Sequence, residues 1–292
     1  MSGTQTLTIK EPSQLLDFLL KSYPDYGRNK VKSFLKYNSV SVNGRIIAQF
    51  DYPLHPGDKV AIKTNTAAPS QKEFLKSLVN IVYEDDTIIV INKPSGLLTV
   101  ATETIKNETA MHRVNEYLNS GSGRREKKIF VVHRLDQGAS GLLVFAKTHD
   151  AKHELQTNWD QTEKHYYAVV DGKPEEEAGT VISYLQENSR MKVYSTTRGG
   201  AKHSVTKYKL IKSNGKHSLL DIHLQTGRKH QIRVHLSDIG CPIIGDDRYG
   251  GKTDPAGRLG LHAYSLSIIH PGTKQRMDFK AELPQALKCV ID

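Results

Sequence analysis

The chain runs to 292 residues, 37% hydrophobic and 25% charged, the profile of a globular protein with room for one large domain and a small companion. Lys and Arg number 41 against 31 Asp and Glu, a formal charge of +10 that favours a polyanionic partner, nucleic acid ahead of a membrane surface. Two cysteines, Cys241 and Cys289, stand without CxxC or Cys/His spacing, which excludes a disulfide framework and a zinc site, and no apolar run nears the ~20 residues that span a bilayer.

Met1 to Ser13 has no basic segment followed by an apolar one, so a cytoplasmic protein without a membrane partner is expected. Leu15, Leu16, Leu19 and Leu20 then repeat at helical spacing behind Pro12-Ser13, which reads as a helix start. Arg28 to Tyr37 predicts a second helix, with Val31, Phe34 and Leu35 on one face and Arg28, Lys30, Lys32 and Lys36 around the others. Short strands follow at Val40-Ser41-Val42, ahead of a turn at Asn43-Gly44, and at Val60-Ala61-Ile62, behind Pro56-Gly57-Asp58. Residues 12–64 therefore read as a small α/β unit. Asn65 to Gln71 is small, polar and unpatterned, and 65–76 is taken as a linker.

Beyond it, 77–292 is dominated by strand-like runs at Ile81 to Tyr83, Thr87 to Asn92, Gly141 to Ala146, Tyr166 to Val170, Ser204 to Ile211 and Ser218 to Leu224. Asn214-Gly215 between the last two is a hairpin signal. Helices are expected over Thr109 to Leu118, over Asp150 to Trp159 and from near Thr226, where Thr226 serves as cap and Arg228 and Lys229 fall at or near the helix N-terminus. Cations there are opposed by the helix dipole, an arrangement that suits an expected anion. Gly240 and Pro242 end that helix. The sum is an α+β fold with a mixed, largely antiparallel sheet. Glu175-Glu176-Glu177 is a solvated loop.

One carboxylate draws attention. His133-Arg134-Leu135-Asp136 places Asp136 in a polar loop, followed by a small-residue turn and the apolar run Leu142 to Ala146. Such an acid is held on the rim of a core, reachable and close to a cation, as a nucleophile or general base must be. Alone, it is better explained by turn capping. His230 and His235 are five apart with no Glu between them, so they share no helix face and no metal site is expected. Paired carboxylates and a Ser/Cys–His elbow are also missing, which disfavours a hydrolase or nuclease.

Six ordered blocks resemble the RluA-type family of RNA pseudouridine synthases. They are Asn92-Lys93-Pro94-Ser95-Gly96-Leu97, the HRLD loop with Ser140-Gly141-Leu142-Leu143, Lys164-His165-Tyr166-Tyr167-Ala168, Thr226 to Leu236, Gly245-Asp246-Asp247-Arg248-Tyr249-Gly250, and Leu261-His262-Ala263. Ala139 departs from the family's usual Thr. The N-terminal unit is similar to the S4 RNA-binding domain, through Val40-Ser41-Val42-Asn43-Gly44 and Pro56-Gly57-Asp58, although Gly27-Arg28 and Asn38-Ser39 depart from its pattern. Residues 1–71 carry nine Lys/Arg against five Asp/Glu, and Arg28, Lys30 and Lys32 suit phosphate contact, against the blander reading of a solvated face.

The resemblance implies isomerisation of specific uridines in RNA to pseudouridine: the N1–C1′ bond breaks, the uracil turns, and a C5–C1′ bond forms. It makes Asp136 the catalytic aspartate, Tyr166 the active-site tyrosine, Arg233 the arginine paired with the aspartate, and Arg134 the residue that helps extrude the base. Arg228, Lys229 and His230 fall in the RNA-contacting motif. The partner expected is RNA, ribosomal before transfer RNA, with no obligate protein partner and no cofactor. Asp136 either attacks C1′ or removes the 2′ proton. Tyr167 remains an alternative to Tyr166 by strand alternation. Arg233 has Asp238 and Asp246 as alternative partners, while Lys93 can be read as shaping its turn and His133 as packing.

Overall fold

In the computed structural model, which describes residues 3–24, 31–32, 34–35, 39–47, 49–64, 76, 79–120, 127–197 and 199–292, the chain divides into two units, Met1–Ser70 and Gln71–Asp292. The first contains β1 (Gly3–Thr8), β2 (Ser13–Gln14), the helix Leu15–Ser22, β3 (Val40–Val42), β4 (Arg45–Ile46), β5 (Pro53–Leu54) and β6 (Lys59–Thr64). Its sheet runs β1-β6-β3-β4, antiparallel throughout. Leu15, Leu16 and Leu19 bury one helix face as their spacing predicts, and Val31, Phe34 and Leu35 join them in the core with Val40, Val60 and Ile62.

Pro12-Ser13 does not start the helix. Ser13 and Gln14 pair with β5, and Gln14 takes the cap position with no side-chain bond. Asn43 and Gly44 turn with φ of 49° and 82°, the left-handed pair that a two-residue hairpin requires. Asn43 Nδ2 donates to Asp58 Oδ1 at 2.8 Å, and Asn43 Oδ1 accepts from the Lys59 amide at 2.9 Å. The Asn-Gly turn and the Pro-Gly-Asp turn are thus tied together. Lys32 is exposed, whereas Arg28, Lys30, Lys36 and nearly all of the expected linker lie outside the described residues.

The second unit is built on an eleven-stranded sheet. Its strands are β7 (Ile81–Glu84), β8 (Ile88–Lys93), β9 (Phe130–Val131), β10 (Ser140–Ala146), β11 (Glu163–Asp171), β12 (Ala178–Glu187), β13 (Val193–Thr196), β14 (Lys202–Ser213), β15 (His217–Leu224), β16 (Leu261–Ile269) and β17 (Arg276–Lys280). The order is β13-β12-β14-β15-β11-β16-β10-β8-β7, with β17 beside β16 and β9 beside β10. Every strand pairing is antiparallel except β10 with β16, so the expected mixed, largely antiparallel α+β sheet is present. All seven residues of β10 are buried, because this central strand has cover on both faces: Leu143 and Phe145 point into one core, Leu142 and Val144 into the other. Each such side chain contributes about 1.5–3 kcal/mol.

Helices Ala110–Asn119 and His149–Thr157 start behind Thr109 and Thr148, whose hydroxyls accept from the third amide on, and lie where the spacing predicts. Of this sheet, strands β9, β12, β13, β16 and β17 are absent from the sequence reading. β12 leaves Ile182 and Tyr184 facing solvent while Leu185 is buried, so its apolar residues do not mark one face.

The helix Gln231–Asp238 corrects a prediction. Thr226 does not cap it; His230 does, in a left-handed conformation with no side-chain bond to the helix. Thr226 Oγ1 instead accepts from the Val205 amide and donates to Gln231 Oε1 at 2.8 Å, while Gln231 Nε2 donates to Val205 O and Thr206 Oγ1. This buried glutamine fastens the whole 226–230 loop to β14, and Arg228 and Lys229 precede the helix rather than enter its first turn. Gly240 ends the helix at φ 76°, as expected.

The parallel contact of β10 with β16 demands a residue without a side chain. Gly141 has φ 114°, and a Cβ there falls on the backbone amide and carbonyl of Ala263. Gly141→Ala is expected to destabilise the protein by at least about 2 kcal/mol, read from urea unfolding. An unchanged midpoint would show that the β10–β16 junction is not rigid.

Candidate active site

Asp136 lies in the loop that enters β10, and that loop is strapped down from several sides. Lys93, at the end of β8, is completely buried, and its ammonium donates to the carbonyls of Pro94 (2.9 Å), Leu97 (2.7 Å) and Gln137 (3.3 Å). Burial, reinforced by the nearby Arg258 cation, pushes the Lys93 amine down to about 7, and Asp136 pulls the other way. Gly96 N donates to Gln137 O, Ser95 Oγ to Gly138 O, and Thr99 Oγ1 to Leu135 O. The Lys93 turn is therefore the mould of the aspartate loop. From the other side, Ser140 Oγ meets His262 Nδ1 at 2.7 Å and accepts from Arg258 at 2.7 Å. Ala139 packs in the hydrophobic core, and on this side the neighbouring Ser140 hydroxyl anchors the loop.

His133 is a packing residue here. Its Nε2 accepts from the Val144 amide at 3.2 Å, and its ring lies 4.8 Å from that of Trp159. Burial pushes its pKa down to about 3, so it is neutral.

Arg233, in the first turn of the helix Gln231–Asp238, holds two carboxylates at once. Its Nε and Nη2 donate to Asp246 Oδ2 and Oδ1 at 2.8 Å each, and its Nη1 donates to Asp136 Oδ2 at 3.1 Å. The Asp246 side chain is 0% exposed, that of Arg233 13% and that of Asp136 26%. The guanidinium also lies 4.9 Å over the Tyr249 ring. Burial alone weakens the charge, but hydrogen bonds and attraction from Asp246, then Asp136, more than offset it and raise the Arg233 pKa. Of the alternatives open in the sequence, Asp246 is engaged together with Asp136, while Asp238 accepts from Ser195 instead.

Tyr166 and Tyr167 alternate across β11. Tyr166 is buried and lines the same cleft as Asp136, and burial followed by the Asp136 charge raises its phenol pKa. Tyr167 stacks on Tyr264 with ring centres 3.8 Å apart.

The cleft measures about 1060 Å³. Among the described residues Asp136 is the only carboxylate in its lining, beside Arg134, Lys164, Arg228, Lys229, Arg233 and Arg248, so the pocket is strongly positive around one acid. His230 joins this lining, and its Nε2 lies 4.0 Å from Asp136 Oδ1. Lys229 forms an ion pair with Glu187, and Arg228 Nε donates to His203 O at 3.3 Å. Asp136, Tyr166, Arg233, Arg134, Arg228, Lys229 and His230 thus converge on one cavity, while Lys32 belongs to the other unit and Arg28 and Lys30 lie outside the described residues. Sequence reasoning offers Asp246 only as an alternative partner for Arg233 and leaves Tyr249 without a role; the signal is the Gly245–Gly250 block itself.

A fixed carboxylate thus faces a basic, open cleft beside a buried tyrosine, an arrangement suited to chemistry on a polyanion. Residues 87–238 match the family model described as RNA pseudouridylate synthase. The chain is 31% identical to an uncharacterized RNA pseudouridine synthase of Mycoplasma pneumoniae, over 96% of this chain and 92% of that one. It is 30% identical to the ribosomal large subunit pseudouridine synthase D of Salmonella typhimurium, over 99% and 93%. The solved structure of human RNA pseudouridylate synthase domain containing 4 superposes with a TM-score of 0.61 at 26% identity, covering 74% of this chain and 94% of that one. The chain belongs to the RNA pseudouridylate synthase family, and its activity is that of an isomerase.

Removing Asp246 strands a buried guanidinium. Asp246→Ala is expected to cost about 3–5 kcal/mol in urea unfolding and to depress turnover, because Arg233 loses the anchor that aims it at Asp136. Normal stability would show that Arg233 needs no second carboxylate. Two neutral histidines add a pH dependence. Burial lowers His133 to about 3, and burial with Arg258 lowers His262 to about 4. Below the ordinary histidine value of about 6.5, the unfolded chain gains protons that the folded one refuses. Stability is therefore full above about 6.5 and falls steadily toward pH 4. Equal melting temperatures at pH 7 and pH 5 would contradict this.

Proposed function

We propose that the enzyme isomerises specific uridines of large-subunit ribosomal RNA to pseudouridine, with Asp136 acting at the ribose of a nucleotide swung out of its stack. The observation that carries the reading is the division of labour on one carboxylate. Asp136 Oδ2 is held by Arg233, and the side chain is still partly open to a positively lined cleft. A planar guanidinium stabilises the charged carboxylate and fixes its orientation, which leaves Oδ1 available at C1′ or at the 2′ proton. Tyr166 supplies a ring under the pyrimidine and a hydroxyl for the proton shed at C5. Extruding the base costs roughly a few kcal/mol, and Arg134, exposed on the rim of the cleft, fills the space it leaves. Arg228 and Lys229 take flanking phosphates.

The ribosomal assignment is supported by the Salmonella relative, which aligns along nearly the whole chain. We read residues 12–64 as an S4-like RNA-binding module. Its two signature turns are bonded to each other through Asn43 and Asp58, Lys32 is exposed, and Arg28 and Lys30 complete the basic segment in sequence.

The test is incubation of purified enzyme with large-subunit ribosomal RNA transcripts, transfer RNA serving as comparison, and detection of pseudouridine. Conversion of ribosomal transcripts is expected, falling to background in Asp136→Asn. Activity that survives in the variant would overturn the role of Asp136, and exclusive conversion of transfer RNA would overturn the substrate. For the module, Arg28, Lys30 and Lys32 changed together to Ala are expected to weaken RNA binding and to shrink the slope of log affinity against log salt by about 2–3. An unchanged slope would remove the module from the RNA contact.

A further inference from the structure

His230 combines two features that its place in a basic motif does not explain. Its backbone is left-handed, with φ 54° and ψ 16°, at a cleft residue that is not glycine. Such a conformation persists only where surrounding structure imposes it, and it concentrates at functional sites. Its ring is also held in one tautomer. Tyr249 is buried, and its hydroxyl oxygen accepts from the Val193 amide at 3.1 Å. The same hydroxyl lies 2.8 Å from His230 Nδ1 and has no other acceptor in reach among the described residues, so its proton goes to that nitrogen. Nδ1 is therefore the acceptor, and Nε2 carries the hydrogen.

That hydrogen faces the cleft beside Asp136. Nε2 and Oδ1 are 4.0 Å apart, too far for a direct hydrogen bond. One atom placed at about 2.8 Å from each bridges them at close to a right angle. The groups around the ring keep it neutral: burial disfavours a charged imidazole, Asp136 favours it, and Arg233, Lys229 and Arg248 disfavour it again. The notch thus offers one donor, His230 Nε2–H, and one acceptor, Asp136 Oδ1. A carbonyl oxygen satisfies only the first, a base N–H only the second, and a phosphate oxygen is repelled by Asp136. A hydroxyl satisfies both with a single atom.

We propose that His230 and Asp136 together form a hydroxyl-binding notch whose occupant is the 2′-hydroxyl of the target ribonucleotide, donating to Asp136 and accepting from His230. This rests on the reading of Asp136 as the group that acts at the ribose. It makes His230 the residue through which the site distinguishes RNA from DNA at the target position, and it gives the left-handed turn a purpose, because that turn aims the ring back across the aspartate.

The test uses the full-length enzyme and a stem–loop spanning the uridine mapped in ribosomal RNA. Its target position carries the unreactive product base, pseudouridine, with either a 2′-hydroxyl or a 2′-hydrogen. Wild-type enzyme is expected to bind the ribo form roughly tenfold more tightly. His230→Gly removes the ring at a position whose backbone suits glycine. It should cut that preference to about threefold or less, chiefly by weakening binding of the ribo form. Tyr249→Phe, which keeps the ring but frees its tautomer, should fall between the two. An undiminished preference in both variants would overturn the notch, and it can be read in Tyr249→Phe alone if His230→Gly fails to fold. The reading beneath it is tested separately by conversion of the unmodified uridine stem–loop. If wild-type enzyme leaves that stem–loop unchanged, the role of Asp136 falls, and the notch with it.

Discussion

One guanidinium shared by two carboxylates organises the site. Arg233 gives its fork to the buried Asp246 and one remaining N–H to Asp136 at the surface of the cleft. A buried ion pair is a poor source of stability, since desolvation consumes most of the attraction. It is a good source of direction. With its plane fixed by Asp246 and covered by Tyr249, the arginine turns Nη1 toward the cleft, and Asp136 is where one of its N–H groups points. The aspartate is thereby oriented without being buried, the condition a group needs if it is both to hold a charge and to reach substrate.

The rest of the second unit serves that geometry. The helix that carries Arg233 is positioned by Gln231, which closes the 226–230 loop onto β14, and the aspartate loop is cast against the Lys93 turn and locked into the β10–β16 junction at Gly141. Rigid elements with buried polar fasteners hold both members of the pair. The cleft rim, by contrast, carries exposed side chains, Arg134 among them.

Much of this is legible in the residues. The buried strand after the HRLD loop, the helices near Thr109 and Asp150, the Asn214-Gly215 hairpin and the Asn43-Gly44 turn follow from local rules that hold whatever the tertiary context. The site residues come from motif resemblance, and the structure brings the catalytic-unit members to one cavity. What escapes has a common cause. Thr226 reads as a cap because its side chain does bond to a later residue, but to the Gln231 side chain and not to a helix amide. Asp246 stays ambiguous because a buried carboxylate 13 residues from its arginine has no local signature. β12 is hard to see because Ile182 and Tyr184 face outward while Leu185 is buried, so apolar residues fall on both faces. Long-range pairing and inverted exposure are not encoded in spacing.

The most direct measurement is a crystal structure of the enzyme bound to a stem–loop carrying 5-fluorouridine at the target, where fluorine replaces the hydrogen that C5 must shed and so holds the nucleotide in the site. The account predicts Asp136 Oδ2 still on Arg233 and Oδ1 against C1′ or C2′ of an extruded ribose. A ribose beyond reach of Asp136, or an aspartate swung away from Arg233 to meet it, would contradict the account.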